Sequence, residues 1–214
     1  MLTIDKKLEA YIDDHIDMED EILTELNRET NQKIYHPQRL TSHLQGRLIG
    51  MICKMLRPVR VLEIGTFTGY SSICIARSLP DNGLLYTIEM NDELEDLTRS
   101  FFEKAGLPAR IRFLIGDALT IIPGINELFD LIYIDGNKKE YPDYYRICFD
   151  KLRHGGFIIA DNVLWSGKIV QDAIESGDHF TKGIMTFNDM VKNDHRVEKV
   201  ILPVGDGISI ILKK

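Results

Sequence analysis

Apolar residues in the first 57 positions recur at steps of three and four, which is the spacing of one face of a helix. One run lies before Pro37 and a second run follows it. The first run contains Leu8, Ile12, Ile16, Ile22, Leu23 and Leu26, and the second contains Leu44, Leu48, Ile49, Ile52 and Leu56. The spacing predicts helices, which we interpret as a helical N-terminal cap over residues 1–57.

From residue 58 onward the pattern changes to short, nearly continuous apolar runs separated by stretches with helical spacing. The predicted strands are 59–64, 84–88, 110–115, 129–134 and 156–160, and the predicted helices are 71–79, 91–105 and 141–152. Strands that are apolar throughout and alternate with helices are typical of a parallel sheet covered on both faces. The sequence therefore predicts an α/β core over residues 58–214 with a doubly wound, Rossmann-like sheet.

The last part of the chain departs from this alternation. The runs VEKVILPV and GISIILKK meet at Gly205, Asp206 and Gly207, a connection too short for a crossover helix. We therefore expect an antiparallel C-terminal hairpin beside the otherwise parallel strands. No repeat or linker-like segment interrupts the sequence, so residues 1–214 are predicted to form a single domain.

The composition is that of a globular protein and disfavours membrane-spanning and non-specific nucleic-acid-binding classes. The 214 residues are 44% hydrophobic and 28% charged, which is enough apolar material for a core. The net charge of -7 disfavours non-specific binding to nucleic acid. No apolar run approaches the roughly 18 residues of a membrane span, and the first residues lack a secretory signal, so we expect a cytoplasmic protein without membrane contact. Cys53, Cys74 and Cys148 are widely spaced, which is typical of reduced core thiols.

A glycine loop follows the first predicted strand in VLEIGTFTGYSS. Glu63, Gly65 and Gly69 lie where the strand gives way to a helix, which is where open α/β sheets bind ligands. The glycines would let a ligand approach the backbone, although they could also serve only the turn. The loop lacks both the GxGxxG pattern and the lysine of a phosphate loop, so the usual dinucleotide and nucleoside triphosphate fingerprints are absent.

An acidic residue also follows each of the next two predicted strands. Glu89 can accept hydrogen bonds from both hydroxyls of a ribose, and Asp117 and Ala118 can border an adenine ring. The alternatives are a solvated acid for Glu89 and a helix cap for Asp117. The order of these features, from the Glu-x-Gly loop to the Gly-Asp-Ala segment, resembles that of S-adenosylmethionine-dependent methyltransferases.

Three oxygen-bearing side chains follow the fourth and fifth strands. Asp135 lies in YIDGNKKEY, and Asp161 and Asn162 lie in IIADNVLWSG. Neighbouring parallel strands bring their carboxyl ends together, and oxygen ligands suit Mg²⁺, Mn²⁺ or Ca²⁺ rather than zinc. The alternative is an Asx turn at Asp161 with Asp135 capping a loop.

Over roughly residues 36–214 the sequence resembles the cation-dependent O-methyltransferases, which include the catechol and caffeoyl-coenzyme A enzymes. The resemblance is carried by HPQRLTSHLQGRLIG, LEIGTFTGYSS, IEMN, GDAL, YIDGNKKEY, ADNVLWSGK and LPVGDGISI. It implies Asp135, Asp161 and Asn162 as metal ligands, Lys138 with Asp135 as catalytic residues, and Trp165 and Arg39 on the substrate side. The predicted site for S-adenosylmethionine, or its product S-adenosylhomocysteine, comprises Thr41, Glu63, Gly65, Gly69, Ser71, Glu89, Asp117, Ala118 and Asp135.

The chemistry of methyl transfer to oxygen explains this set of groups. A phenol with a pKa near 10 is ionised to only about one part in a thousand at neutral pH, a handicap of roughly 4 kcal/mol. A divalent cation favours the ionised oxygen and orients two adjacent oxygens by chelation. Lys138 could accept the proton or could be a solvated loop lysine, and Trp165 could border a flat substrate or only pack.

The acceptor is the open part of this prediction. We expect a small hydroxylated molecule of catechol-like or phenolic type, with 5-hydroxyuridine in tRNA as the alternative. Arg28, Lys33, Arg39 and Arg47 could form a basic patch for RNA in the N-terminal region. An NAD(P)-dependent oxidoreductase would also use a glycine loop and Glu89, but it would lack the metal ligands. The resemblance further implies a homodimer, with the N-terminal helices as its interface.

Overall fold

A seven-stranded sheet organises residues 5–171 and 173–214, which the computed structural model describes. The strand order is β3-β2-β1-β4-β5-β7-β6. Strands β1 to β5 are mutually parallel, and β7 runs antiparallel to both β5 and β6. The strands are β1 Arg60–Ile64, β2 Leu84–Glu89, β3 Ile111–Ile115, β4 Phe129–Ile134, β5 Leu152–Ala160, β6 Val197–Leu202 and β7 Ile208–Lys213. The predicted mostly parallel sheet with a C-terminal antiparallel hairpin is confirmed.

Both faces of the sheet are buried, as the continuous apolar runs predict. Along β1, Val61 and Leu62 are both fully buried, although successive side chains point to opposite faces. Leu62 belongs to the core layer that contains Phe187, and Val61 belongs to the layer that contains Phe101. The two layers explain why these strands lack an alternating pattern.

Eight helices surround the sheet in the described ranges, and they confirm the predicted segments. They are α1 Lys6–His15, α2 Glu21–Lys33, α3 His43–Leu56, α4 Tyr70–Ser78, α5 Glu95–Lys104, α6 Ala118–Gly124, α7 Tyr141–Lys151 and α8 His179–Asn193. The segment predicted as 91–105 begins with a 3-10 turn at Asp92–Leu94 before α5. Helices α6 and α8 were not predicted, and β5 begins at Leu152 rather than at residue 156.

The N-terminal helices are fastened to the sheet through α3 and α4. Gly46 allows their close approach, because a Cβ atom there would lie 2.7 Å from Cε1 of Tyr70. The hydroxyl of Tyr70 donates to Glu19, and Arg77 pairs with Asp20, so the connection between α1 and α2 is tied to α4. This packing brings the first turn of α3 to the carboxyl edge of the sheet, where Gln45 bonds to Asp161.

The cysteines are not linked to one another. All three thiols are free, with Cys53 and Cys148 buried and Cys74 partly buried. Burial raises the pKa of Cys53 and of Cys74 to about 12, so both stay protonated and are weak nucleophiles. None of the helices in the described residues is both long enough and apolar enough to cross a bilayer.

Candidate active site

The candidate site lies where the strand order reverses, between β1 and β4. Open α/β sheets bind ligands at this switch point. The backbone N–H of Asp135 donates to the carbonyl of Ile64 over 2.9 Å, and that of Asp161 donates to Ile134 over 3.0 Å. The residues that follow β1, β4 and β5 therefore lie side by side, as the sequence predicts for parallel neighbours.

The glycine loop after β1 lies against Asp135. Gly65 has a φ of +98°, and a Cβ atom there would lie 2.4 Å from the carbonyl oxygen of Asp135. Gly69 has a φ of +93°, and its Cβ would lie 2.7 Å from a ring atom of Phe102. Only glycine fits both positions, so the loop can follow a path that L side chains would block.

Glu63 lies beneath this loop and is fully buried. Its carboxylate accepts hydrogen bonds from Ser71 and Thr87, each over 2.6 Å, and from the hydroxyl of Ser72. Burial raises the pKa of Glu63 to about 7, although the three hydroxyls oppose the shift. Glu63 and Ser71 thus brace the start of α4 from inside the fold, and their predicted contact with a methyl donor stays a prediction.

Glu89 closes β2 beside the loop. Its Oε2 accepts the backbone N–H of Phe67 over 2.7 Å, and its Oε1 accepts that of Asn91 over 2.9 Å. Burial raises the pKa of Glu89, while the backbone donors and the charge of Arg39 oppose the rise. Arg39, predicted on the substrate side, is exposed and acts electrostatically on this predicted ribose-binding carboxylate.

The remaining residues of the predicted donor site lie on neighbouring elements. Asp117 caps α6, because its Oδ1 accepts the N–H of Leu119 over 2.9 Å and its Oδ2 accepts the hydroxyl of Thr120 over 3.2 Å. The helix-cap alternative for Asp117 is therefore realised. Ala118 is buried as the first residue of that helix, and Thr41 is partly buried just before α3.

Lys138 lies against the strand-end acid Asp135 and is linked to Asp161 through Tyr141. Its Nζ donates to Oδ1 of Asp135 over 2.6 Å and to the hydroxyl of Tyr141 over 2.9 Å. The Tyr141 hydroxyl is in turn within donating distance of the carbonyl oxygens of Asp161 (2.9 Å) and Ile134 (3.2 Å). Only 11% of the Lys138 side chain is exposed, so it is not the solvated loop lysine of the alternative.

Asp161 is 3% exposed and lies close enough to Asp135 to feel its charge. Burial, together with the charge of Asp135, raises the pKa of Asp161 to about 7, and Lys138 only partly opposes the rise. Its Oδ1 accepts the N–H of Asn162 over 2.7 Å, whereas an Asx turn would use the residue after that. Asn162 has a φ of +58°, a conformation that asparagine tolerates.

This donor set fits a hard divalent cation. Within the described part of the chain, no three His, Cys, Asp or Glu side chains form a metal cluster. The candidate set is instead two carboxylates, from Asp135 and Asp161, and the amide of Asn162. Burial and the neighbouring charge of Asp135 both raise the pKa of Asp161, and a cation held between the carboxylates would oppose both effects.

The segment after Asn162 is held by the turn between β6 and β7. The N–H of Leu164 donates to the carbonyl of Asp206 over 2.9 Å, and the N–H of Ser166 donates to its Oδ1 over 2.6 Å. Trp165 packs against the core, with its ring centroid 6.3 Å from that of Phe180. Its buried Nε1 finds no hydrogen-bond acceptor among the described residues. Trp165 therefore has a packing role, which was one of the two roles expected for it.

The sequence pattern does not reveal every polar group of the site. The hydroxyl of Tyr141 bonds to Lys138, and the hydroxyl of Tyr133 donates to Oδ2 of Asp161 over 3.3 Å. Gln45 is likewise outside the predicted set, although its Nε2 donates to Oδ2 of Asp161 over 3.0 Å. The S-x-x-Q pattern at Ser42 and Gln45 signals a helix start, but it does not reveal a partner 116 positions away.

A separate surface cleft of about 620 Å³ lies between the far ends of α7 and α8. There Arg196 pairs with Asp194 over 2.7 Å and lies 3.8 Å from the ring centroid of Phe149. Arg196 and Asp194 therefore satisfy each other, and the cleft shares no residue with the candidate site.

Comparison with known proteins places the chain in a family. Residues 13–214 match a family described as O-methyltransferase. This chain belongs to the O-methyltransferase family. It is 33% identical over 204 residues to a caffeoyl-CoA O-methyltransferase of Petroselinum crispum, a match covering 90% of this chain and 83% of that protein. A second caffeoyl-CoA O-methyltransferase, from Stellaria longipes, is 30% identical over 202 residues, which cover 89% of this chain and 83% of that one.

Solved structures agree with this assignment. The O-methyltransferase TomG of Streptomyces achromogenes, determined in complex with SAM, superposes with a TM-score of 0.90 at 28% identity, covering 97% of this chain and 96% of TomG. An O-methyltransferase from Bacillus cereus, in complex with SAH, also gives 0.90 at 28% identity, covering 97% of both chains. The predicted family and Rossmann-like fold of this O-methyltransferase are confirmed, and the family match begins at residue 13 rather than near residue 36.

Proposed function

We propose that this O-methyltransferase transfers the methyl group of S-adenosylmethionine to a hydroxyl of a small catechol-like or phenolic acceptor, with a divalent cation held by Asp135, Asp161 and Asn162. The observation that carries the proposal is the adjacency of the glycine loop, the two acids and Lys138 at one switch point of the sheet. The SAM and SAH complexes of TomG and the Bacillus cereus enzyme support the choice of donor.

The donor would occupy the edge formed by the glycine loop and the end of β2. Each Glu89 oxygen already accepts one backbone N–H and keeps lone-pair capacity for a ribose hydroxyl. Gly65 touches the backbone of Asp135, so a ligand on the loop lies next to the acids. A sulfonium cation is favoured near that negative charge.

Asp135, Asp161 and Asn162 would hold the cation with oxygen ligands. When bound, a divalent cation lowers the pKa of a coordinated hydroxyl and fixes the orientation of a chelating acceptor. A bound cation would also oppose the effect of burial on Asp161, which the charge of Lys138 offsets only in part.

Lys138 is placed to accept the acceptor's proton. Its Nζ donates to the carboxylate of Asp135 over 2.6 Å and to the hydroxyl of Tyr141 over 2.9 Å. The Tyr141 proton is directed to a backbone carbonyl, so that hydroxyl serves Lys138 as an acceptor. These two bonds orient Nζ. Once the amine has lost its own proton, its remaining position would take up the proton of the acceptor hydroxyl.

Charge pairing favours a small acceptor over tRNA. Two of the four residues of the predicted basic patch are neutralised, since Lys33 pairs with Glu29 and Arg47 pairs with Asp17. A third, Arg28, lines a cleft together with Glu19, Glu21 and Glu25. These acids reduce the attraction of the N-terminal helices for phosphates.

The proposal is tested by assaying the purified protein with S-adenosylmethionine and either catechol or caffeoyl-coenzyme A, before and after chelation. We expect methylated product by mass spectrometry, loss of turnover with EDTA, and recovery with excess Mg²⁺. Phenol, which lacks the second oxygen for chelation, is the matched control and should react far more slowly. Unchanged turnover after chelation contradicts the cation site, and failure to bind the donor contradicts the whole proposal.

Substitution of Glu89 tests the donor site separately. Glu89→Ala should weaken S-adenosylhomocysteine binding by about 1.5 to 3 kcal/mol, because a charge-assisted hydrogen bond is lost. Isothermal titration calorimetry measures the dissociation constant. Glu93→Ala, an exposed acid four positions later, is the control and should bind as the wild type does. Equal affinities for the wild type and Glu89→Ala would remove Glu89 from the donor site.

A further inference from the structure

Gln45 joins the first turn of α3 to the end of β5. Its Nε2 donates to Oδ2 of Asp161 over 3.0 Å, across 116 positions of sequence. The turn between β6 and β7 closes over the same amide, since a Cβ atom on Gly205 would lie 2.8 Å from Nε2. The amide is therefore held between three elements at the candidate cation site.

The capping box of α3 fixes which way this amide faces. Oε1 of Gln45 accepts the N–H of Ser42 over 3.3 Å and its hydroxyl over 3.0 Å. The Ser42 Oγ itself accepts the N–H of Gln45, so its own proton goes to Oε1. A flipped amide would set donor against donor at Ser42. Gln45 consequently presents an N–H group, and only an N–H group, to Asp161.

The hydrogen bonds to the carboxylate of Asp161 leave one of its oxygen lone pairs unused. Oδ2 accepts from both Gln45 and the hydroxyl of Tyr133, the latter over 3.3 Å, and these fill its two lone pairs. Oδ1 accepts only the N–H of Asn162, over 2.7 Å, and keeps one lone pair. The carboxylate is thus turned so that Oδ1 is the oxygen available to a ligand.

We infer that Gln45 is a positioning residue, which orients Asp161 so that Oδ1 faces the divalent cation. The inference rests on the cation site of the proposed function. Groups that hydrogen-bond to a metal ligand fix its orientation, and their loss commonly lowers metal affinity 10- to 100-fold. Gln45 therefore makes cation binding depend on the N-terminal helices, in addition to the strands that carry the ligands.

Mn²⁺ binding to the purified full chain, followed by electron paramagnetic resonance, tests this inference without an activity assay. Gln45→Leu keeps the side-chain volume but removes the donor, and its Mn²⁺ dissociation constant should rise about tenfold. Gln38→Leu is the matched control, because it makes the same change at an exposed glutamine whose amide bonds to His36 and not to Asp161. Its Mn²⁺ affinity should stay close to that of the wild type. S-adenosylhomocysteine affinity should be unchanged in both variants.

Each other outcome counts against the inference in a distinct way. Wild-type Mn²⁺ affinity in Gln45→Leu means that the amide does not position Asp161. An equal loss in Gln38→Leu means that replacing a glutamine in this region, and not losing the bond to Asp161, weakens the site. A parallel loss of S-adenosylhomocysteine binding in Gln45→Leu points to general disruption. Failure of the wild type to bind Mn²⁺ overturns the proposed cation site itself, and the inference with it.

Discussion

Replacing Asp161 with alanine should abolish cation-dependent methyl transfer while leaving donor binding intact. The substitution removes one of the two proposed carboxylate ligands, and Asp135 and the Asn162 amide alone would hold a hard cation weakly. The acceptor hydroxyl then loses the cation that favours its ionised form. Turnover should therefore fall about a thousandfold for an acceptor hydroxyl of pKa near 10 at neutral pH. Glu89 and the glycine loop are untouched, so S-adenosylhomocysteine should bind as before.

The measurement is turnover of catechol with excess Mg²⁺, together with the S-adenosylhomocysteine dissociation constant. Asp161→Asn is the informative second variant, because it keeps the size of the side chain and removes only the charge. Asp143→Ala, which removes a half-exposed acid paired with Arg146, serves as the control and should retain activity. Near-normal turnover of Asp161→Ala would refute the assignment of Asp161 as a metal ligand.

The second large effect is expected at the glycine loop. Gly65→Ala should destabilise the fold by about 2 to 6 kcal/mol, combining backbone strain at positive φ with the cost of overpacking. The new Cβ would lie 2.4 Å from the carbonyl oxygen of Asp135, so relief requires the loop or the end of β4 to move. Donor binding should therefore be lost even where the variant folds.

Gly106→Ala separates the two causes. Gly106 also has a positive φ, of +69°, but no atom lies within 4 Å of a Cβ built there. This control should lose only about 1 to 2 kcal/mol from backbone strain and should bind S-adenosylhomocysteine normally. Urea unfolding and calorimetry measure both quantities. If Gly65→Ala loses no more stability than Gly106→Ala, the close contact with Asp135 is not a constraint on the loop.

Local pattern was sufficient to predict the strands and the adjacency of the two acids. Leu62 and Ile132 belong to runs that are buried on both faces, and such runs stand out against helical spacing. Once the strands are known, the residues that follow β4 and β5 must lie together, because parallel neighbours end at the same edge. The meeting of Asp135 and Asp161 was predictable for this reason.

Two helices were harder to predict for physical reasons. Helix α6 is only seven residues long and contains Pro123, so it has too few turns to show a period. Helix α8 buries Ile184, Phe187 and Val191 at helical spacing, but Gly183 and its threonines are weak helix formers. Packing on the core, rather than intrinsic propensity, stabilises both helices.

The hydrogen-bond partners within the site could not be predicted from local pattern. Glu63 and Glu89 both end strands beside the glycine loop, yet Glu63 is fully buried among hydroxyls and Glu89 faces backbone donors near the surface. The difference depends on side-chain packing around each acid. The bond from Gln45 to Asp161 likewise depends on how α3 lies across the sheet, which neither segment encodes alone.

The turn between β6 and β7 ties the C-terminal hairpin to the candidate site. The carbonyls of Asp206 and Gly207 accept the backbone N–H groups of Leu164 and Val163, just after the candidate metal ligands. On the other side, Asn188 of α8 donates to the carbonyl of Val163 over 2.9 Å. Displacement of the hairpin would therefore free one side of the segment that follows Asn162, although the hairpin itself contributes none of the candidate ligands.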